Sequence, residues 1–217
     1  MSSTATSPVN PPRPPRESGT PQADGDAGAR RSIAAFYFAY LAALGLFAPY
    51  FPLYLRSLGL SDGAVARLQG VVPAMGLLSP PLLGLLADAQ RVRPHLLRAT
   101  TALAAASFAL LLVVPSRWPV IAGVVALFAL ARMPITPLID ASAADVAPGG
   151  LAFGRLRVWG SIGFLAAVGA GGALFDVVGL PAVRGGTLAA LVVTALLAFR
   201  VPSSRLSHHP EALAAWL

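Results

Sequence analysis

Long apolar segments recur along this sequence and limit its possible folds more than any other feature. Six of them lie at about 33–55, 65–87, 96–114, 119–140, 156–177 and 181–200. Each is close to the ~20 residues that an α-helix needs to cross ~30 Å of hydrocarbon. Because lipid offers no hydrogen bonds, runs of this length satisfy their backbone polar groups as helices. The pattern predicts an all-α membrane protein with a bundle of six transmembrane helices.

The composition supports this class and excludes several others. The chain is 56% hydrophobic and only 12% charged, which is too apolar for a soluble domain of 217 residues. Its net charge of +7 comes from arginine, which commonly flanks membrane spans and does not indicate nucleic acid binding. Cysteine is absent and the three histidines lack metal-ligand spacing, so we expect no metal and no cofactor. No nucleophile–base arrangement indicates an enzyme.

Residues outside and between the apolar segments predict the domain limits and the orientation. Residues 1–32 are rich in proline, serine, glycine and charge, which predicts a disordered cytoplasmic tail before a transmembrane domain at 33–200. Nine arginines flank the helix ends on the side of the N-terminus, and four flank the opposite ends. This bias predicts a multi-pass protein of the inner (plasma) membrane with both termini in the cytoplasm.

A short motif near the end of the second predicted helix returns near the end of the fifth. The pattern G-x-L-x-D occurs at 84–88 and again at 172–176, on opposite sides of the membrane. This repetition fits two three-helix repeats of inverted topology. Paired prolines also mark helices one and four, and bends of this kind are tolerated where protein or water satisfies the backbone. We therefore expect helices one and four to line a cavity.

Charged side chains inside the predicted spans are the main candidate functional residues, because a charge in lipid is costly. Asp140 ends helix four and Arg157 begins helix five, so the turn between them brings both to similar depth. They are either ordinary flanking charges or a pair that faces an aqueous cavity and binds a polar solute. Arg132 shares a stripe of helix four with Thr136 and Asp140. Its guanidinium is expected to face inward, where it binds a substrate carboxylate or neutralises Asp140.

Other candidates share a helix face with these charges or carry aromatic rings. Arg157, Ser161 and Phe164 follow one face of helix five, whereas Arg155 lies about 200° away around that helix. Helix one is rich in aromatic residues, and most of its rings are expected to face lipid or other helices. Aromatic faces can stack on sugars or rings. The rings selected for this role are Tyr40, Phe47 and Tyr50.

Three segments resemble the major facilitator superfamily. G-L-L-A-D-A-Q-R-V-R (84–93) resembles its loop motif between helices two and three, G-x-L-A-D-R-x-G-R-R/K, with the substitutions Ala89 and Arg91. F-G-R-L-R-V-W-G-S-I-G-F (153–164) is similar to helix five of the proton-coupled branch that contains lactose permease, nucleoside symporters and phenylpropionate permease. G-L-F-A-P-Y-F-P-L-Y-L (45–55) resembles helix one of the same branch.

The resemblance implies a proton-coupled symporter and assigns roles to particular residues. In that branch an acidic residue at the end of helix four pairs with the second arginine of G-R-x-R and binds substrate, which implies Asp140 and Arg157. Phe164 stands where the sugar permease has a stacking tryptophan, so a nucleoside, an aromatic acid or another small solute is as suitable as a galactoside. The loop motif, with its gating role, is carried by Gly84, Asp88 and Arg93.

Members of this family have twelve helices, and the resemblance covers only six of them, over about residues 33–205. Residues 201–217 then correspond to the start of the central cytoplasmic loop. The chain is expected to be the N-terminal half of a transporter for a small-molecule solute, working in a lipid bilayer with the missing C-terminal half or a second copy. Two alternatives stay open: a stand-alone six-helix protein that assembles without transporting, and a truncated fragment without function.

Overall fold

The computed structural model describes residues 21–76, 93–114 and 117–202, and all regular secondary structure in these ranges is α-helical. The helices are α1 (Pro21–Ser57), α2 (Asp62–Gly76), α3 (Arg93–Val113), α4 (Trp118–Arg132), α5 (Ile135–Val146), α6 (Gly150–Val178) and α7 (Leu180–Leu197). Five stretches within the described ranges are long and apolar enough to cross a membrane, and α4 with α5 forms one of them. The prediction of an all-α membrane bundle is confirmed.

Helix α1 begins twelve residues before the predicted first span. It starts at Pro21, so residues 21–32 are helical, whereas the composition predicted disorder for the whole of 1–32. Once the apolar span is helical, each added residue extends the hydrogen-bond ladder without a new nucleation step. The alanines and arginines of this segment also favour a helix. Residues 1–20 and 203–217 lie outside the described ranges.

The second predicted span is described only over its first part. Helix α2 covers Asp62–Gly76, and residues 77–92 lie outside the described ranges. Two residues of the predicted gating loop, Gly84 and Asp88, fall in this gap. The third, Arg93, is the first residue of α3.

The fourth predicted span is divided into two helical segments. Met133 and Pro134 separate α4 from α5, and both keep right-handed helical backbone angles, so the span continues across the break. Proline lacks the amide hydrogen that a continuous helix would use, which explains why the break falls here. The segment continues to Val146, six residues beyond the predicted end. Asp140 therefore lies inside α5, and Arg132 lies near the middle of the 29-residue span.

The helices form two groups of three spans that exchange contacts. The first group is α1, α2 and α3, and the second is α4 with α5, α6 and α7. Helix α1 packs against α6 and α7, while α4 packs against α2 and α3. The first helix of each group thus contacts the second and third helices of the other group. Helices α3 and α7 also contact each other. This symmetric exchange supports the two inverted repeats that the G-x-L-x-D motif predicted.

Small residues bring α1 and α6 close together. On α6 the buried small residues of this face are Gly160, Gly163, Ala167 and Gly171. A Cβ atom added at Gly163 would lie only 2.3 Å from the carbonyl oxygen of Phe38 in α1. A Cβ added at Gly45 of α1 would lie 2.6 Å from the carbonyl oxygen of Phe164. Glycines at such positions allow membrane helices to pack with their backbones nearly in contact.

An aromatic cluster fills the space between α1, α3 and α4. Its rings are Phe47, Phe51, Phe108 and Phe128, and all four are buried. The ring centroid of Phe47 lies 4.5 Å from that of Phe51 and 5.0 Å from that of Phe128. Pairs at these distances stabilise a fold by about 0.5–1.5 kcal/mol each beyond the effect of buried area. The cluster holds the two helix groups together at their centre.

Candidate functional site

Asp140 of α5 and Tyr37 of α1 are joined by a hydrogen bond. The Tyr37 hydroxyl donates to Oδ1 of Asp140 over 2.5 Å. Tyr37 is only 2% exposed, and Asp140 is half-buried. A hydrogen bond to a carboxylate is stronger than one between neutral groups, and it lowers the cost of keeping the charge away from water. The Asp140 side chain therefore points towards α1 inside the bundle.

Arg157 of α6 lies beside this hydrogen bond but forms no direct ion pair with Asp140. The two ion pairs found among the described residues lie elsewhere. The Arg157 side chain is exposed, and its guanidinium lies 5.8 Å from the ring centroid of Phe153. The direct contact expected from the sequence is not among these ion pairs, and Asp140 bonds instead to Tyr37.

The backbone of α6 explains this arrangement. Gly160 is three residues after Arg157, and a Cβ added to it would come within 3.5 Å of the Cβ and carbonyl oxygen of Tyr37. The absence of a side chain at Gly160 lets α1 approach α6 closely at this level. Tyr37, the hydrogen-bond partner of Asp140, therefore lies at the contact between α1 and α6, about one helical turn from Arg157.

The outer side of α6 carries further candidate residues. Ser161 is exposed on the same side as Arg157, and Phe164 is half-buried at the edge of the contact with α1. Two apolar neighbours on this side, Val158 and Leu165, are 53% and 70% exposed. The structure thus brings Arg157, Ser161 and Phe164 onto one side of a helix, and that side also offers apolar surface.

Arg132 is a charged residue near the middle of a membrane span. It is half-buried, and its Nε atom is enclosed without a hydrogen-bond partner in the part of the chain that is described. On insertion scales a charge at this depth costs about 2.5–3.5 kcal/mol. Asp140 is eight residues further on, about 12 Å along the helix axis, and the two form no ion pair. The charge of Arg132 is therefore separate from the contact between Asp140 and Tyr37.

Tyr40 stabilises the bend beside Arg132. Its hydroxyl donates to the carbonyl oxygen of Arg132 at 3.2 Å, and the residue is only 1% exposed. Proline bends disturb the helical hydrogen bonds around them, so this contact satisfies a carbonyl next to the break. The sequence predicted that the Tyr40 ring would face a cavity, and in the structure the ring is enclosed between helices.

Phe47 is likewise placed in the core. Its ring lies in the aromatic cluster and is 8% exposed, whereas the sequence predicted that it stacks on a solute. The i, i+4 spacing of Phe47 and Phe51 directs both rings to the same neighbouring helices. Tyr50 is half-buried, and its ring centroid lies 5.8 Å from that of Phe175 in α6.

Arg93 pairs with a residue that the sequence did not single out. Its Nη1 lies 3.3 Å from Oδ2 of Asp145, near the end of α5. The pair is mostly enclosed and connects the beginning of the third span to the end of the fourth. Asp145 follows Asp140 by five residues, which places the two carboxylates on different sides of α5.

Tyr37 is the main residue that sequence reasoning missed. It was one of many aromatic residues in helix one, and a tyrosine in a membrane span has several common fates. Its partner lies 103 residues away in the sequence, so no local pattern identifies the contact. The described ranges contain no group of three His, Asp or Glu side chains placed to hold a metal ion.

Comparisons with known proteins agree with this fold. The family model described as the MFS_1 like family matches residues 31–213. A maltose permease of Geobacillus stearothermophilus is 31% identical over 179 residues, which cover 81% of this chain and 45% of the permease. The crystal structure of the nucleoside transporter NupG has a TM-score of 0.68 and 17% identity, covering 87% of this chain and 50% of that chain.

The chain spans about half the length of these relatives. They are a permease and a transporter, which agrees with the expectation that this chain is not an enzyme. The match to the family model extends over all the described helices except the first turns of α1. The chain therefore belongs to the MFS_1 like family, within the major facilitator superfamily.

Proposed function

We propose that this chain is the N-terminal six-helix half of a secondary active transporter and that Asp140, Tyr37 and Arg157 bind a small polar solute. The observation that carries the proposal is the hydrogen bond between Tyr37 and the half-buried Asp140, with an exposed guanidinium beside it. Ionisable groups inside membrane spans mark solute or ion pathways far more often than they serve packing. Membership of a superfamily of transporters supports the same function.

The three groups have complementary hydrogen-bonding capacities. Asp140 keeps a second carboxylate oxygen as an acceptor, while the Arg157 guanidinium offers several donors in one plane. A solute with neighbouring hydroxyl groups could donate to Asp140 and accept from Arg157 at the same time. This chemistry suits a sugar or the ribose of a nucleoside, and the two named relatives are a maltose permease and a nucleoside transporter.

Arg132 extends the proposed site towards the middle of the membrane. Its guanidinium, with Nε enclosed, is a second cationic position about 12 Å from Asp140 along the span. Solutes with an anionic group could use it, which keeps an aromatic acid among the candidate substrates. Proton coupling is part of the proposal because residues 45–55 and 153–164 resemble the proton-coupled branch of the superfamily.

The exposed side of α6 supports a second six-helix unit as the partner. Arg157 and Ser161 adjoin the apolar Val158 and Leu165 there, so a covering unit would enclose the solute and bury apolar surface together. The two units would rock about a site near the membrane midplane. We place both termini in the cytoplasm because arginine predominates at that end of the bundle.

Binding of maltose and uridine to the purified chain in nanodiscs tests the site directly. Arg157→Gln should weaken binding of whichever solute is recognised by at least tenfold, since hydrogen bonds to charged groups contribute about 1.5–3 kcal/mol. Arg155→Gln is the matched control, because Arg155 is equally exposed on the same helix but lies about 200° away around it. The solute affinity of this control variant should stay within twofold of that of the unmodified chain.

Tyr37→Phe tests the hydroxyl that bonds to Asp140, because it removes one oxygen and retains the ring. We expect about tenfold weaker solute binding together with a lower thermal midpoint, since the half-buried Asp140 loses a hydrogen bond. Uptake by proteoliposomes that contain the complete transporter should fall in parallel for Arg157→Gln and Tyr37→Phe. Equal binding by Arg157→Gln and Arg155→Gln would contradict the site. A stable self-assembled oligomer that binds no solute would instead favour a non-transporting six-helix protein.

A further inference from the structure

A groove on the outside of the bundle lies apart from the proposed solute site. It runs between α1, α6 and α7 and has a volume of about 620 Å³. Small alanine side chains of α1, including Ala35 and Ala39, leave the space open. Phe38, Trp159 and Val193 form its walls. The lining is apolar along almost the whole length of the groove.

One end of the groove carries a positive charge. Arg31 lines that end and is exposed, and no acidic side chain is among the lining residues. From Arg31 to Ala42 the groove follows eleven residues of α1, or about 16 Å at ~1.5 Å per residue. Half of a ~30 Å hydrocarbon core is ~15 Å. The groove therefore matches the depth of one membrane leaflet, with its charge at the headgroup level.

We propose that this groove is a binding site for an anionic phospholipid from the leaflet on the side of the N-terminus. One acyl chain would lie against the alanines of α1, and the phosphate would accept hydrogen bonds from the Arg31 guanidinium. Arginine binds phosphate through two parallel charge-assisted hydrogen bonds. Basic positions between membrane helices are known to bind anionic headgroups by the same physics.

The direction in which the groove opens supports a lipid as the occupant. Trp159 is two residues after Arg157, so the two side chains lie about 200° apart around α6. A protein unit that covers the Arg157 side would leave the Trp159 side in contact with the bilayer. An indole ring at such a position is typical of the region where protein meets lipid headgroups and chains.

Native mass spectrometry of the purified chain, taken from mixed micelles of phosphatidylglycerol and phosphatidylcholine, tests the headgroup contact. The unmodified chain should retain phosphatidylglycerol in preference to phosphatidylcholine. Arg31→Gln should weaken phosphatidylglycerol binding about fivefold, which corresponds to ~1 kcal/mol for one arginine near an anionic surface. Arg30→Gln is the matched control, because Arg30 is exposed and adjacent but does not line the groove.

A second pair of variants tests the groove itself. Ala35→Phe would fill it at an exposed position and should displace the bound lipid without loss of folding. Ala102→Phe places the same ring on an exposed position of α3, away from the groove, and should retain the lipid. Retention of both lipids alike, or equal losses in Arg31→Gln and Arg30→Gln, would overturn the proposal because it would indicate general annular contact.

The chain contains no cysteine, so a single introduced thiol reports on what covers the groove. Ala35→Cys in native membranes should react with a lipid-soluble maleimide and should not form a disulfide-linked dimer. Efficient dimer formation at this position would show that a second copy occupies the groove, and the lipid site would then be wrong. None of these measurements depends on solute binding, so their outcome is independent of the proposed transport.

Discussion

The contact between α1 and α6 allows a mutation whose effect can be estimated from distances. In Gly163→Ala, the new Cβ would lie 2.3 Å from the carbonyl oxygen of Phe38 and 3.0 Å from its carbonyl carbon. Real Cβ atoms do not approach closer than 3.0 Å, so the helices must separate by about 0.7 Å. The opposing atoms belong to a helix backbone and cannot rotate away as a flexible side chain could.

Overpacking of this kind costs about 1–3 kcal/mol. Alanine is a better helix former than glycine and returns about 0.5–1 kcal/mol. The expected result is a net loss of up to about 2.5 kcal/mol in the free energy of unfolding. Because Tyr37 immediately precedes Phe38, the same displacement should also move the Tyr37 hydroxyl away from Asp140.

Gly169→Ala is the matched control for this mutation. It lies in the same helix, six residues further on, and a Cβ there would have no atom within 4 Å. Only the gain in helix propensity applies, so this variant should be about 0.5–1 kcal/mol more stable than the unmodified chain. Unfolding all three proteins in the same detergent, with tryptophan fluorescence as the signal, ranks their stabilities. If both variants shift the midpoint equally, the close backbone contact is refuted.

Three further changes test other contacts in the described ranges. Phe47→Ala should lower stability by about 3–5 kcal/mol because it opens a cavity in the aromatic cluster, whereas Leu196→Ala, at a 63% exposed position, should change it by less than about 0.5 kcal/mol. A double-mutant cycle with alanine at Arg93 and Asp145 should give a coupling free energy of about 0.2–1 kcal/mol that decreases in high salt. A coupling of zero would refute the ion pair. Tyr54→Phe removes a buried 2.7 Å hydrogen bond to a carbonyl of α3 and should lower the thermal midpoint, so an unchanged midpoint would contradict that bond.

The helical class of the fold and five of the six spans could be predicted from the sequence, and so could the repeat and the family. Span length and hydropathy are read along the chain, since each residue adds its own transfer free energy regardless of distant neighbours. The break at Pro134 also has a local cause, because proline lacks the amide hydrogen, whereas Pro49 and Pro52 lie inside the uninterrupted α1. The predicted positions of the helix ends were less accurate. Both α1 and α5 continue past the predicted limits, because a helix extends for as long as its residues tolerate it.

The contacts within the candidate site required the tertiary structure. The sequence indicated Asp140 and Arg157 through their charges, but their relation depends on how far each helix is rotated about its own axis. That rotation is set by close packing, and here the glycines of α6 bring α1 against it at the level of Tyr37, whose hydroxyl bonds to Asp140. The same packing encloses Tyr40 and Phe47, which look like exposed aromatic candidates in the sequence. Burial in lipid is a property of each segment, whereas the meeting of two side chains depends on shape complementarity between helices far apart in the chain.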